Sequence, residues 1–182
     1  MKRLLQRAYR FLLMFGIDPR KTIHSMRGLP SYFRDLQTLQ SQKKSAIKDF
    51  PFGKPYLCLQ DMFLESGSAK GHYFHQDLLV ARRIYLNNPS IHVDVGSRID
   101  GFVAHVASFR SVDVFDIRPL SIAIPNIRFM QADLMTPIND KLVDYCDSLS
   151  CLHAIEHFGL GRYGESVNYD GYIFGLNNLH KI

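Results

Sequence analysis

Val93-Asp94-Val95-Gly96-Ser97-Arg98-Ile99-Asp100-Gly101 decides the fold. With His92 before it, the stretch reads as a short buried strand that passes through a glycine turn into a helix. Gly96 lets the backbone turn tightly and lets a ligand approach where a Cβ would clash, and the helix that follows offers free N–H groups. About twenty residues further on, Asp116 closes the next apolar stretch, Val112-Asp-Val-Phe-Asp116. There an acidic side chain can accept from both hydroxyls of a ribose. Strand, glycine turn, helix, strand and terminal acid together describe a nucleoside site, whereas a glycine after a strand describes only a turn.

The flanks fit the same frame. Leu78, Leu79, Ala81, Ile84 and Tyr85 give a helical pattern over 74–86, stopped by Asn87-Asn88-Pro89. Beyond the turn the pattern predicts a helix over 101–109, strands over 112–115, 127–131 and 148–152, and a last helix over about 169–180. Strands interleaved with helices indicate an α/β parallel sheet, and right-handed crossovers around Gly96 give the order 3-2-1-4. The third strand runs into Gln131-Ala-Asp133-Leu134. Asp133 thus falls at the carboxyl edge, where ligands of open α/β sheets collect and where it can accept from an adenine amino group. The plain alternative is that Asp133 caps the next turn.

Charge divides the 182 residues unevenly. Residues 1–54 hold 12 Lys and Arg against 3 Asp and Glu, while the remainder is net acidic. A nucleic-acid-binding domain would spread basic charge over its folded body, so no nucleic-acid partner is expected, and the arm is the part suited to anionic partners. Over 2–16, Leu4, Leu5, Ala8, Phe11, Leu12 and Phe15 fall within an arc of about 120°, with Arg3, Arg7 and Arg10 roughly opposite. This basic amphipathic helix either lies on an anionic membrane surface or packs on the domain with its arginines solvated. Gly16, Asp18 and Pro19 end it, Pro30 is expected to open a second helix to about 42, and residues 40–45 read as a linker. The resulting division is a basic helical arm over 1–50 and an α/β domain over 55–182. No apolar run reaches the roughly 20 residues of a membrane span. Cys58, Cys146 and Cys151 form no CxxC pair, which points to a reducing, cytoplasmic setting.

Three further motifs carry chemistry by their letters. Gly159-Leu-Gly-Arg-Tyr-Gly164 matches GxGxxG, but it starts seven residues past the last strand and leaves no room for a βαβ unit, so a loop over the site fits it better. His153-Ala-Ile-Glu-His157 matches HxxEH, a zinc-hydrolase pattern if both histidines share a helix face and a third ligand exists. His72-Tyr-Phe-His75 with Asp77 offers aromatic walls and a general base, or merely a helix start.

Asp94-x-Gly96, Asp116, Gln131-Ala-Asp133 and Cys146-Asp-Ser-Leu-Ser-Cys-Leu-His-Ala-Ile-Glu-His157 resemble, in order and spacing, the motifs of class I S-adenosylmethionine-dependent methyltransferases. More closely, residues 71–172 resemble a methyltransferase-like family of unknown function, first noted in nematodes and also found in bacteria. The resemblance covers about 55–182 and implies a Rossmann-like class I methyltransferase sheet, incomplete here, with an N-terminal helical arm. It implies S-adenosylmethionine as cofactor, with Asp94, Gly96 and Ser97 in the methionine-side loop, Asp116 on the ribose, and Asp133 with Leu134 at the adenine. It places Glu156 and His157 at the methyl donor. Arg98 and Asp100 stand where the family has further glycines, so the loop is expected to bind the cofactor in a modified way or not at all. The family continues beyond the position of Ile182 into a fifth strand, so the chain is expected to be the front part of a longer protein or a degenerate copy.

Methyl transfer from a sulfonium is an in-line displacement that needs positioning and, for a hydroxyl acceptor, a base. His157 is the expected base with Glu156 orienting it, and His75 is the second choice. The resemblance to proteins encoded among bacterial surface-glycan genes implies a small-molecule or glycan hydroxyl as acceptor, reached from the cytoplasmic face of a membrane. The competing expectation is a non-catalytic binding module.

Overall fold

The computed structural model describes residues 2–45, 51–67, 69 and 71–182, and the chain divides into two compact units, Met1–Ser68 and Ala69–Ile182. In the first unit, α1 (Lys2–Met14) is followed by α2 (Pro19–Lys43). Asp18 caps α2 by accepting from the N–H groups of Arg20 at 3.0 Å and Lys21 at 3.4 Å, and Pro19, which lacks an N–H, takes the first helical position. Pro30 does not open a helix; it lies inside α2, because the Asp18 cap has already started that helix eleven residues earlier. Residues 40–43 of the expected linker are likewise helical, and the expected boundary near residue 50 lies outside the described residues. Gly28 is buried because the 59–63 segment crosses α2 there: an added Cβ would collide with the Leu59 carbonyl oxygen. Among the described residues no helix is long and apolar enough to cross a membrane.

The second unit runs α3 (His72–Asn87), β1 (His92–Val95), a wide π-type turn (Ile99–Val103), α4 (Ala104–Ala107), β2 (Val112–Asp116), β3 (Ile127–Gln131), β4 (Ser148–Ser150) and α5 (Gly171–Lys181). The four strands form one parallel sheet in the order β3-β2-β1-β4, an α/β arrangement compatible with a Rossmann-like fold. β1 and nearly all of β2 are buried, so the polar residues that alternate with valine in both strands, His92, Asp94 and Asp113, lie inside the fold rather than in water. Asn88, in the left-handed region at φ 43°, ends α3. The helix expected over 101–109 shrinks to α4 because the chain kinks at Gly101. β4 stops at Ser150 rather than at 152, since its partner β1 turns away at Gly96.

Residues two apart share a sheet face, and the register sorts them. On one face Val112 and Val114 pack with Ala81, Ile84, Phe102, Val103 and Val106 from α3, the π-type turn and α4. On the other, Val93, Val95 and Phe115 pack with Leu134, Leu142 and Ile182. The first face also carries a buried polar chain. Register opposes His92 to Ser148 and Asp94 to Ser150. His92 Nδ1 and Nε2 lie 2.8 and 3.1 Å from the hydroxyls of Ser148 and Ser150. Ser150 donates its single proton to Asp94 Oδ1 at 2.7 Å. It must therefore accept from His92 Nε2–H, and His92 Nδ1 accepts from Ser148, which is the pattern of a neutral imidazole.

The energetics agree. Burial, with Arg110 nearby, lowers the His92 pKa to about 4, although Asp147 opposes this. Burial raises the Asp94 pKa to about 6 despite its serine hydrogen bonds. The Asp94 contribution is present below its unfolded value of 3.8 and is lost as pH rises through 6. The His92 contribution is present above 6.5 and is lost as pH falls through 4. Each is worth about 3 kcal/mol, and they oppose one another over the same window. Relative to the parent chain, His92→Gln is expected to gain stability between pH 7 and pH 4, and Asp94→Asn to lose it. Urea titrations across that range would expose the opposite slopes; parallel slopes would refute the coupling.

Candidate functional site

The carboxyl ends of the strands enclose a cleft. A slot of about 50 Å³ lies between Gly96 after β1, Asp116 and Arg118 at the end of β2, Asp133 and Leu134 after β3, and His153 and His157 after β4. A chamber of about 450 Å³ adjoins it and shares Gly96, Arg118, His153, His157 and Tyr163. Gly96 permits this convergence. Its φ is +72°, and a Cβ there would stand 2.7 Å from that of Ala154, so the turn after β1 and the loop after β4 touch only because a side chain is missing.

The three carboxylates singled out from the sequence meet different surroundings. Asp94 is fully buried and lines neither cavity. Its oxygens accept from Ser150 Oγ, from Ser97 Oγ at 2.8 Å and from Ser97 N at 3.1 Å. It therefore fastens the glycine turn rather than facing a ligand, and the Ser97 N–H is occupied by that bond. Ser97 itself borders the chamber. Asp116 lies at the slot, but its carboxylate is held by Arg118 through Nε at 2.9 Å, Nη2 at 2.5 Å and the backbone N at 2.8 Å. Asp133 accepts from the N–H of Met135 at 2.9 Å, so it caps its turn while also lining the slot, beside buried Leu134.

The histidines separate as well. His157 lines both cavities, with Arg162 Nη1 3.2 Å from its Nε2. Glu156 does not orient it. The two residues sit on a one-turn 3-10 helix (Ile155–His157), where neighbours point about 120° apart, and Glu156 borders a different, exposed hollow with Leu160 and Val167. His75 also lines neither cavity: on α3 it is two residues from Tyr73 and from Asp77, which do border the chamber, so it faces away and contacts the Ala69 carbonyl at 2.9 Å. The HxxEH pattern lacks the helix it requires, because His153 adopts a left-handed conformation (φ 57°) and only a 3-10 turn follows. Among the described residues, no cluster of three His, Cys, Asp or Glu is placed to hold a metal ion. Burial, with the charges of Asp94 and Glu156, pushes the Cys151 thiol up to about 12, which leaves it unsuited to act as a nucleophile.

His153 was legible only as half of a zinc motif, yet it stands where slot and chamber join. Its ring packs edge-on against Tyr73 at 3.9 Å, and its Nε2 is buried with no hydrogen-bond partner among the described residues. The 159–164 glycine motif belongs to a loop over the slot. Glu165 pins that loop by accepting from the N–H groups of Arg162 and Tyr163, and the Tyr163 ring lies under the Arg118 guanidinium at 4.6 Å. The one advance signal for Arg118 was its spacing from Asp116, since an Asp often accepts from the N–H two residues on.

Comparisons with protein-family models, with curated proteins and with solved structures find no match to this chain.

Gly96→Ala should cost about 1–3 kcal/mol through its positive φ and its collision with Ala154. Adding Ala154→Gly is expected to recover the collision and leave the backbone cost. Denaturant midpoints for the single and double variants check both parts, and an unchanged midpoint in Gly96→Ala would contradict the stated contact.

Proposed function

We propose that the Ala69–Ile182 unit binds S-adenosylmethionine in the cleft and methylates a hydroxyl of a small molecule or glycan. The observation that carries the reading is the convergence of Gly96, Asp116, Asp133 and His157 from the ends of four parallel strands on one slot, with a larger chamber beside it. The buried, unpartnered His153 Nε2 at the junction favours a polar ligand there.

The cofactor, when bound, supplies an electrophilic methyl group on a sulfonium. The rest falls to the chain. Asp116 accepts from the ribose hydroxyls once Arg118 turns away, Asp133 accepts from the adenine amino group, and Leu134 gives the ring an apolar wall. Gly96 lines the slot and lets the loop that carries Ala154 close against it. His157 accepts the proton that the acceptor hydroxyl releases as its oxygen gains the methyl group. Arg162, which can only donate, stands within 3.5 Å of both ring nitrogens and must swing aside before His157 takes that proton.

A second reading is favoured by one specific observation: Arg118 closes on Asp116 in two-pronged fashion over a slot of only about 50 Å³. Such a lock suits a binding module without turnover. Calorimetry and methyl transfer measured on one preparation separate the two. Asp116→Ala should weaken S-adenosylhomocysteine binding about ten- to a hundredfold, the value of one charged acceptor. Arg118→Gln, which frees Asp116 from a partly exposed ion pair, should tighten it roughly threefold. Unchanged affinity in Asp116→Ala sinks the ribose assignment, and binding without transfer to any glycan or small alcohol supports the module.

A further inference from the structure

Within the first unit, no described residue covers its most apolar surface. Leu4, Leu5, Phe11, Met14 and Phe15 are 72, 65, 59, 82 and 68% exposed, and Ile17 beyond the helix is 52% exposed. Such a surface is normally buried against a core. Towards its carboxyl end α1 is apolar all round, since Phe11, Leu12, Leu13 and Met14, at about 100° per residue, span every direction of a helical turn. A helix that docks in a protein groove needs one stripe and a polar back. An end that is apolar on every side suits insertion.

Charge completes the description. α1 has no acidic residue and carries Arg7 and Arg10 roughly opposite the apolar arc. On α2, Arg20, Arg27 and Arg34 recur at seven-residue spacing, so they form one row along the helix, next to exposed Ile23, Met26 and Phe33. The Met1–Ser68 unit holds 12 Lys and Arg against 5 Asp and Glu, an excess of seven, so two copies meeting through this unit would repel. Nucleic acid would satisfy the arginines but leave the phenylalanines and leucines in water.

We infer that the Met1–Ser68 unit is a peripheral membrane anchor: the apolar end of α1 enters the boundary between headgroups and acyl chains of an anionic bilayer, and its arginines, with the α2 row, engage the lipid phosphates. This holds whether or not the second unit is a methyltransferase.

The chain contains no tryptophan, so Phe11→Trp introduces a single fluorescent reporter. With the full chain, its emission is expected to shift to the blue on vesicles of phosphatidylcholine with about 30% phosphatidylglycerol, and far less on phosphatidylcholine alone. Co-sedimentation with the anionic vesicles should fall roughly tenfold or more in Phe11→Ser/Phe15→Ser and in Arg7→Gln/Arg10→Gln, and should weaken when salt is raised to about 0.5 M. An unshifted emission from the Phe11→Trp variant, equal binding to both vesicle types, or a Phe11→Ser/Phe15→Ser variant that binds unchanged would overturn the inference. So would a dimer in sedimentation that Phe11→Ser/Phe15→Ser dissolves, which would assign the face to a second copy.

Discussion

The buried carboxylate of Asp94 is the constraint on which the second unit depends. It sits in the central strand with no exposure to water, and three donors from Ser97 and Ser150 replace its hydration. Removing one of them would leave part of a buried polar group unpaired, at about 1–3 kcal/mol. The three bonds join the end of β1, the turn after it and the edge strand β4. They therefore set the place where Gly96 meets Ala154, and with it the floor of the cleft. His92 extends the chain to Ser148 and joins the same two strands at the other end of their pairing. A polar ladder inside an otherwise apolar sheet also specifies register, because sliding β4 by one residue would turn Ser148 and Ser150 to the opposite face.

Much of the fold was legible because short stretches rich in β-branched and aromatic residues, bounded by turn residues, mark strands, and 92–95, 112–116 and 127–131 each hold two or three of Val, Ile, Phe and Met. Crossover handedness then leaves few orders for four strands. What escaped were the places where a local signal is overridden. Pro30 reads as a helix start, yet a capped helix already under way carried through it. Gly101 reads as a tolerated helix residue, yet the chain kinks there and shortens α4.

The site was legible in position more than in role. Asp116 and Asp133 were placed at the cleft by their positions at strand ends, and Leu134 and His157 by the methyltransferase resemblance. Asp94 shared the same signal but belongs to the sheet face that carries His92, and only the pairing with β4 reveals that its partners are serines. Glu156 and His75 were separated from the cleft by helical phase, which depends on whether a turn is 3-10 or α and on where a helix starts. His153 was hidden for a different reason. Its left-handed backbone is imposed by the loop that follows β4, and no residue preference in Leu-His-Ala announces it. The Arg118 clamp is likewise a matter of side-chain geometry, visible once the Asp116 carboxylate has both its oxygens accounted for.

On the proposed reading, a nucleoside cofactor sits over the carboxyl ends of β1, β2 and β3 with its ribose on Asp116. A crystal structure of the full chain grown with S-adenosylhomocysteine tests it most directly. Ribose hydroxyls are expected within hydrogen-bond distance of both Asp116 oxygens, with Arg118 withdrawn from that carboxylate and His153 Nε2 newly paired with the ligand or a water bound to it. A ligand bound elsewhere, or an Arg118 still clamped on Asp116 with the slot closed, would contradict it.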